Sequence, residues 1–442
     1  PDNFRAMEPL FLAVICACNA GLFRAALHEV YLPRIQRGNA CFAANVLGAT
    51  GPLLSVLVHF FEHGRWGSPV QMGVEGQSLT ADDQLFVLLQ AGLYLTATRG
   101  LGSAEAGICY ERAEPLCHSL GRPRLLCLAL RGQLRFSIQT DKMSATMQIA
   151  ERVYLLAQEQ DDPTLMVGAC NILSCTLFYL GDFESARQYA RRGVQIWHSR
   201  GIQSYAEDLQ TPVVGCLCYW AISEWNLEEI ASCQAMMDEA ISIAKELKDM
   251  HALAMALAWA AGLCRCESNP AQVDRLASEL IELSTRHNFV HWLANGAIWR
   301  GWARCASGDT AEGIPWIEQG IKDYRATGSV QGVPYFLALK AEALFLADCI
   351  SEALEAINEA EALAERFEHR NALSEMHRLR GMFLAALGAD EIKIEASFCA
   401  ALRIAREQKS IALAKIAEAT YSAYCLQKTT TFEGQGIRLS LR

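Results

Sequence analysis

Along most of the chain, apolar residues recur at helical spacing in paired stretches separated by a short break. The second stretch of each pair carries a polar face. Ala353, Ile357, Ala360 and Ala364 form one apolar stripe, while Glu352, Glu355, Glu359 and Glu361 occupy the rest of that helix surface. The breaks fall at Gly21, Gly64, Leu101, Asp141, Gly181, Glu228, Ser268, Gly308, Asp348 and Gly388, at intervals of 43, 37, 40, 40, 47, 40, 40, 40 and 40 residues. The first two intervals together make two periods with a shifted boundary, and the interval of 47 carries seven extra residues around Gly201 to Pro212. Twelve residues after most breaks stands a small or aliphatic residue: Ala113, Val153, Gly193, Ala240, Leu280, Gly320, Ala360 and Ala400. Helices that cross closely need such side chains where their backbones approach. The pattern predicts an all-α fold, an α-solenoid of about ten antiparallel helix pairs with a period of about 40 residues, wound into a right-handed superhelix. An ordinary helical bundle does not account for four consecutive intervals of 40.

Composition sharpens this picture. Of 442 residues, 52% are hydrophobic and 20% charged, which excludes a disordered chain; 442 residues divided by a period of 40 is about eleven units. The formal charge of −10 has the wrong sign for a broad nucleic-acid footprint. The longest uninterrupted apolar stretch, Ala252 to Cys264, has 13 residues, against roughly 18 for a bilayer span. With no secretory leader either, the expectation is a cytoplasmic protein without membrane contact. The chain opens on Pro1 rather than Met, which reads as a piece of a longer product with its catalytic neighbour upstream. The 17 cysteines are scattered through apolar stretches without a Cys-x-x-Cys pair, as expected of small hydrophobes in a reducing compartment. By region, residues 1–80 read as N-terminal helical repeats, 81–425 as the main superhelical domain, and 426–442 as a flexible tail.

The blocks Leu180-Gly181-Asp182-Phe183-Glu184-Ser185-Ala186-Arg187 and Gly308-Asp309-Thr310-Ala311-Glu312-Gly313 resemble the turn and second helix of tetratricopeptide repeats. The chain is similar to MalT-like superhelical sensor regions. Gln90 to Leu95, Leu283 to Thr285, Arg300 to Ala303 and Pro334 to Leu339 resemble the C-terminal repeat region of large bacterial signalling proteins that join a STAND-type ATPase to a nucleotide cyclase or a DNA-binding domain. The resemblance covers roughly residues 81 to 425. It implies a non-catalytic sensor or scaffold that binds a protein segment or small polar effector in its concave groove and regulates an attached ATPase, cyclase or transcription domain. The chain itself has no Gly-Lys dipeptide, and so no phosphate-binding P-loop.

The resemblance places the inward positions of each first helix 13, 10, 6, 3 and 2 residues before its break. The polar and aromatic residues at those positions are Arg99, Arg131, Arg135, Asn171, Tyr179, Trp225, Asn226, Arg265, Asn295, Trp302, Tyr335 and Glu342. Such a wall suits a peptide or a small polar ligand held by stacking and hydrogen bonds. Eight of nine tryptophans lie between Trp197 and Trp316, divided between core packing and a ligand platform. No metal, cofactor or catalytic residue is indicated: His28-Glu29 lacks the second histidine of a zinc-protease helix, and His287 with His291 lacks a third ligand. Arg187, Arg191, Arg192 and Arg200 read as a solvated helix face. Two alternatives stand beside the sensor: an enzyme with an unrecognised groove site built on Glu342 near Tyr335 or on Arg99, Arg131 and Arg135, and a self-assembling scaffold.

Overall fold

A computed structural model describes residues 3–38, 43, 49–202, 209–228, 230–429 and 436–441. From Ala81 onward the chain is a succession of helix pairs. First helices span Ala81–Arg99, Pro123–Thr140, Pro163–Leu180, Pro212–Asn226, Met250–Cys266, Val290–Ala306, Val333–Leu346 and Leu373–Ala386. Their partners are Ala104–Ser119, Met143–Glu159, Phe183–Arg200, Cys233–Glu246, Pro270–His287, Thr310–Ala326, Ile350–Phe367 and Glu391–Glu407, and Ile411–Lys428 closes the series. The starts are written locally. Asp162, Asp182, Asp249, Asn269, Asp309, Asp390 and Ser410 accept a backbone N–H as N-caps, and several first turns open on proline, whose missing N–H costs nothing there.

Each predicted break falls between two helices except Gly64. Glycines 64, 67, 73 and 76 with Pro69 cannot sustain helix, and residues 58–64 form two short 3-10 turns followed by an isolated bridge from Phe61 to Pro69. The N-terminal region is therefore less regular than the expected repeats: Phe4–Asn19 packs on Phe23–Ala25 and its π-helical continuation Ala26–Ile35, and a short helix, Thr50–Leu57, follows. Of the small residues on the second helices, Ala113, Val153, Gly193, Ala240, Leu280, Gly320 and Ala360 are buried. Ala400 is half-buried and Ala401 takes the crossing instead, because helix Glu391–Glu407 starts one residue later after its turn.

Of the tail read as flexible, residues 430–435 and 442 lie outside the described residues. Residues 436–441 dock on the last turns: Ile437 N–H donates to the Ala385 carbonyl at 2.8 Å, Arg438 pairs with Asp348 at 2.6 Å, and Leu439 is 3% exposed. Among the described residues one helix, Pro163–Leu180, is apolar and long enough to cross a membrane, and 78% of it is buried within the solenoid, as in a core helix.

Most of the cysteines are core residues. Burial pushes the thiols of Cys18, Cys109, Cys170 and Cys305 up to about 12. A thiol reagent on the native protein is therefore expected to label the exposed Cys16, Cys399 and Cys425 first, and the buried set only on unfolding. Mapping by mass spectrometry checks this, and rapid native labelling of Cys170 or Cys305 would contradict the packing.

The superhelix closes on itself. Turns that follow second helices in the C-terminal half rest on turns that end first helices in the N-terminal half. Val330 N–H donates to the Gln139 carbonyl at 2.7 Å, and Arg370 N–H donates to the Tyr179 carbonyl at 2.7 Å. Ser410 Oγ donates to Asn226 Oδ1 at 3.0 Å across 184 residues. Glu368 reaches 224 residues back to accept the Ser144 N–H at 2.8 Å, capping a helix whose own N-cap, Lys142, makes no side-chain cap. The Gln139 to Gln331 bond spans 192 residues, just under five periods of 40. Gly102 and Gly328 meet backbone to backbone; a Cβ on Gly102 would lie 2.5 Å from the Gly328 carbonyl carbon.

Candidate functional site

Because the first helices face inward and the turns meet across the seam, the lumen is a cavity of about 220 Å³ lined by residues from both halves of the chain. Its lining runs from Leu101 to Leu413 and draws on every first helix from Pro123–Thr140 to Leu373–Ala386 except Val333–Leu346's inner turns beyond Phe336. Nine of the twelve wall residues read from the sequence line it: Arg131, Arg135, Asn171, Tyr179, Trp225, Asn226, Arg265, Asn295 and Tyr335.

The other three lie elsewhere. Arg99 is half-exposed at the turn and pairs with Glu105, because its helix ends there and the short return brings that carboxylate alongside. Trp302 and Glu342 are buried behind the wall. Trp302 Nε1 donates to Glu342 Oε2 at 2.8 Å, and the other Glu342 oxygen takes Arg265. Of the arginines of the enzyme alternative, Arg131 and Arg135 line the cavity while Arg99 lies apart at the turn with Glu105, and Glu342 is taken up by Arg265 and Trp302. Of the basic run, Arg191, Arg192 and Arg200 are exposed, while the half-buried Arg187 pairs with Glu224 of the neighbouring repeat at 3.3 Å.

Residues beyond those twelve complete the wall. Tyr219, Trp259 and Trp299 each stand nine residues before a break, at Glu228, Ser268 and Gly308, and Ile172 has the same relation to Gly181; all four line the cavity. This register, one residue from a position already counted as inward, is the sequence signal for them. Phe178, Tyr219 and Trp259 form one aromatic cluster, with centroids 5.0 to 5.8 Å apart. Of the clustered tryptophans, Trp225, Trp259, Trp292 and Trp299 line the cavity, while Trp197, Trp220, Trp302 and Trp316 do not.

Two polar wall residues are held by glycines in the next first helix. A Cβ at Gly168 would lie 2.5 Å from the Arg131 guanidinium carbon, and one at Gly215 would lie 2.1 Å from Asn171 Nδ2. A mid-helix glycine costs about 1 kcal/mol relative to alanine, so these two helices give up stability to seat polar groups at the lumen.

The lumen's strongest electrostatic feature is a buried ion cluster. Arg378 forks onto Glu375 at 2.7 and 2.8 Å, Glu375 lies 3.5 Å from Arg265, and Arg265 pairs with Glu342. Burial alone would push the Glu375 carboxyl up, but the Arg378 guanidinium and its hydrogen bonds, with Arg265 behind, hold it below the usual carboxylate range. Two guanidiniums and two carboxylates leave the cluster neutral. Arg265 also lies 5.7 Å from the centre of the Tyr335 ring.

Burial lowers His291 to about 3 and the seam residue His369 to about 4, so both are neutral at physiological pH. In the unfolded chain they titrate near 6.5. The unfolded state therefore binds more protons, and stability is expected to fall as pH drops from about 6.5 toward those values. Denaturant unfolding at pH 7 and pH 5 checks this, and His291→Phe with His369→Phe should flatten that limb. No cluster of three or more His, Cys, Asp or Glu that could hold a metal occurs among the described residues.

No family model matches the sequence. An uncharacterised protein of Rhizobium meliloti (strain 1021) is 24% identical over 356 residues, which are 78% of this chain and 34% of that protein. The chain thus spans about a third of the length of that curated relative. Among solved structures, a Rap protein complexed with competence and sporulation factor aligns with a TM-score of 0.47 and 10% identity, over 89% of this chain and 100% of that one. The STAND protein with a tetratricopeptide repeat sensor from Pyrococcus horikoshii aligns at 0.41 and 15% identity, over 95% of this chain and 65% of that one. Aspartyl phosphate phosphatase F from Bacillus subtilis aligns at 0.41 and 12% identity, over 82% of this chain and 98% of that one. Each is a low score. The tetratricopeptide-like character of the repeats rests on the chain's own helix pairs, their recurring turns and the small residues at their crossings.

Proposed function

We propose that this chain is a non-catalytic sensor module that encloses a small effector in its lumen and reports occupancy to a neighbouring signalling domain. The observation that carries the reading is the seam. A molecule in the cavity touches first helices of both the N-terminal and C-terminal halves, and the same halves meet at Gln139 with Gln331, Tyr179 with Arg370 and Asn226 with Ser410. Occupancy therefore favours the closed turn over an opened one, and an effector shifts the population by its differential affinity for the two. A volume of about 220 Å³ favours a small effector over a peptide segment. The matched region is 34% of the Rhizobium meliloti relative, and the proposal places the output in a neighbouring domain of such a larger protein, a signalling ATPase, nucleotide cyclase or transcription domain.

The test is hydrogen exchange with compounds drawn from a metabolite library that raise the melting temperature. A true effector slows exchange at residues 139–144 and 328–331 together. Compounds that stabilise the protein while leaving both segments unprotected would remove the seam from the mechanism. Gly102→Val, which forces a side chain into the Gly328 backbone, is expected to raise the radius of gyration in small-angle scattering. An unchanged radius would show that this contact does not hold the turn closed.

A further inference from the structure

Helix Val290–Ala306 presents Trp292, Trp299 and Trp302, and their indole N–H groups differ in one respect. Trp292 Nε1 donates to the His251 ring at 3.3 Å and Trp302 Nε1 donates to Glu342 at 2.8 Å, but Trp299 Nε1 makes no hydrogen bond. One turn earlier on the same helix, Asn295 Oδ1 also lacks a partner. Both side chains line the cavity, and they are 4% and 8% exposed, so solvent does not satisfy them. Buried polar groups are nearly always hydrogen-bonded, and two orphans one turn apart at a cavity wall require a reason.

We infer that the lumen binds a small, uncharged molecule of the amide or lactam class, whose carbonyl accepts from Trp299 and whose N–H or carbonyl meets the Asn295 amide. This rests on the effector reading above and specifies its ligand. The Asn295 amide carries a donor and an acceptor, so either orientation of its end group complements another amide. The Tyr335 ring lies 6.1 Å from that of Trp299 and is tilted 59° to it, and Ala258 and Gly262 of the preceding first helix line the same stretch of the cavity. A Cβ on Gly262 would come within 3.3 Å of the Trp299 ring. Charge argues for a neutral ligand, because Arg265 and Glu375 are matched by Glu342 and Arg378, and Arg131 and Arg135 already engage other groups. Both polar atoms are buried in the structure, so binding of this class requires the Asn295 amide and the Trp299 ring to turn toward the lumen.

The test uses benzamide, its anionic isostere benzoate, and toluene as probes of the unmodified chain, read by ligand-observed NMR and tryptophan fluorescence. Benzamide is expected to bind better than both others and to weaken about tenfold in Trp299→Phe, which keeps a ring but removes the N–H, and in Asn295→Leu. Toluene binding should be unchanged in Trp299→Phe. Toluene binding as well as benzamide, or benzamide indifferent to Trp299→Phe, overturns the amide pairing and leaves the effector-binding lumen intact. Tighter binding of benzoate overturns it in favour of an anion at the arginines. Failure of all three probes counts against this ligand class and against the lumen as a small-molecule site. A thermal midpoint for Asn295→Leu no lower than that of the unmodified chain is the second expected result, since an orphaned polar group is removed; Trp299→Phe decides the question should Asn295→Leu fail to fold.

Discussion

Replacing Glu375 by alanine is expected to cost about 3–5 kcal/mol of stability, because it leaves two buried guanidiniums without their shared counter-ion. Glu375 takes both prongs of Arg378 and stands 3.5 Å from Arg265; Glu375 and Arg378 are buried, and the Arg265 side chain is 13% exposed at the lumen. Arg265 would keep Glu342, whereas Arg378 would keep only the Thr420 hydroxyl at 3.2 Å and the Met382 sulfur. The effect should appear as a lower urea midpoint and as the loss of an acid-sensitive limb. The Glu375 carboxyl is held below its unfolded value, so its contribution is present above about pH 4.3 and is lost as pH falls through the folded value. Glu375→Ala removes that part of the acid dependence. The double variant Glu375→Leu with Arg378→Met should recover much of the loss, because a packed apolar pair replaces a buried ion pair with little penalty. A cost below about 1 kcal/mol for Glu375→Ala would show that the cluster is hydrated rather than buried.

The second large effect is expected where helices Val290–Ala306 and Thr310–Ala326 cross. A Cβ on Gly301 would lie 2.6 Å from the Gly313 carbonyl oxygen, and one on Gly313 would lie 2.5 Å from the Gly301 carbonyl oxygen. Gly320 continues the stripe, 3.0 Å from the Ala294 carbonyl by the same measure. Backbone cannot move aside as a side-chain tip can. Gly301→Val should therefore cost about 3 kcal/mol or more by forcing the pair apart, and even Gly301→Ala should destabilise despite the usual gain of about 1 kcal/mol from helix propensity. Chemical denaturation of the two variants decides it. A Gly301→Ala protein more stable than its parent would mean that the crossing relaxes freely and that helix propensity dominates. Since Asn295, Trp299 and Trp292 are carried by the same helix, Gly301→Val is also expected to disturb the lumen.

The wall was only partly legible before folding. The inward positions named nine lining residues because a repeat shows the same face to the same neighbour each time. Arg99 sits at a helix end where the chain turns out to its own Glu105, and Trp302 and Glu342 share an inward register yet are withdrawn by Arg265. Tyr219, Trp259 and Trp299 stand nine residues before their breaks, one residue off the inward positions that the resemblance supplies, so that register does not name them. Gly64 satisfied the spacing but not the composition of a helix break, since the glycines around it leave no helix to interrupt.

By itself, the sequence determined the repeating unit: helix pairs, their starts at capping residues and prolines, their turns and the small residues at their crossings. These are interactions within about one period, and local contacts are what periodicity encodes. The tertiary structure decided everything that spans nearly five periods. Whether the solenoid stays an open groove or closes on itself depends on a small rotation per repeat summed over many, a quantity no single repeat records. That sum brings Gln139 to Gln331 and caps the helix at Ser144 with Glu368. It thereby turns a predicted concave face into a lumen lined from both halves of the chain.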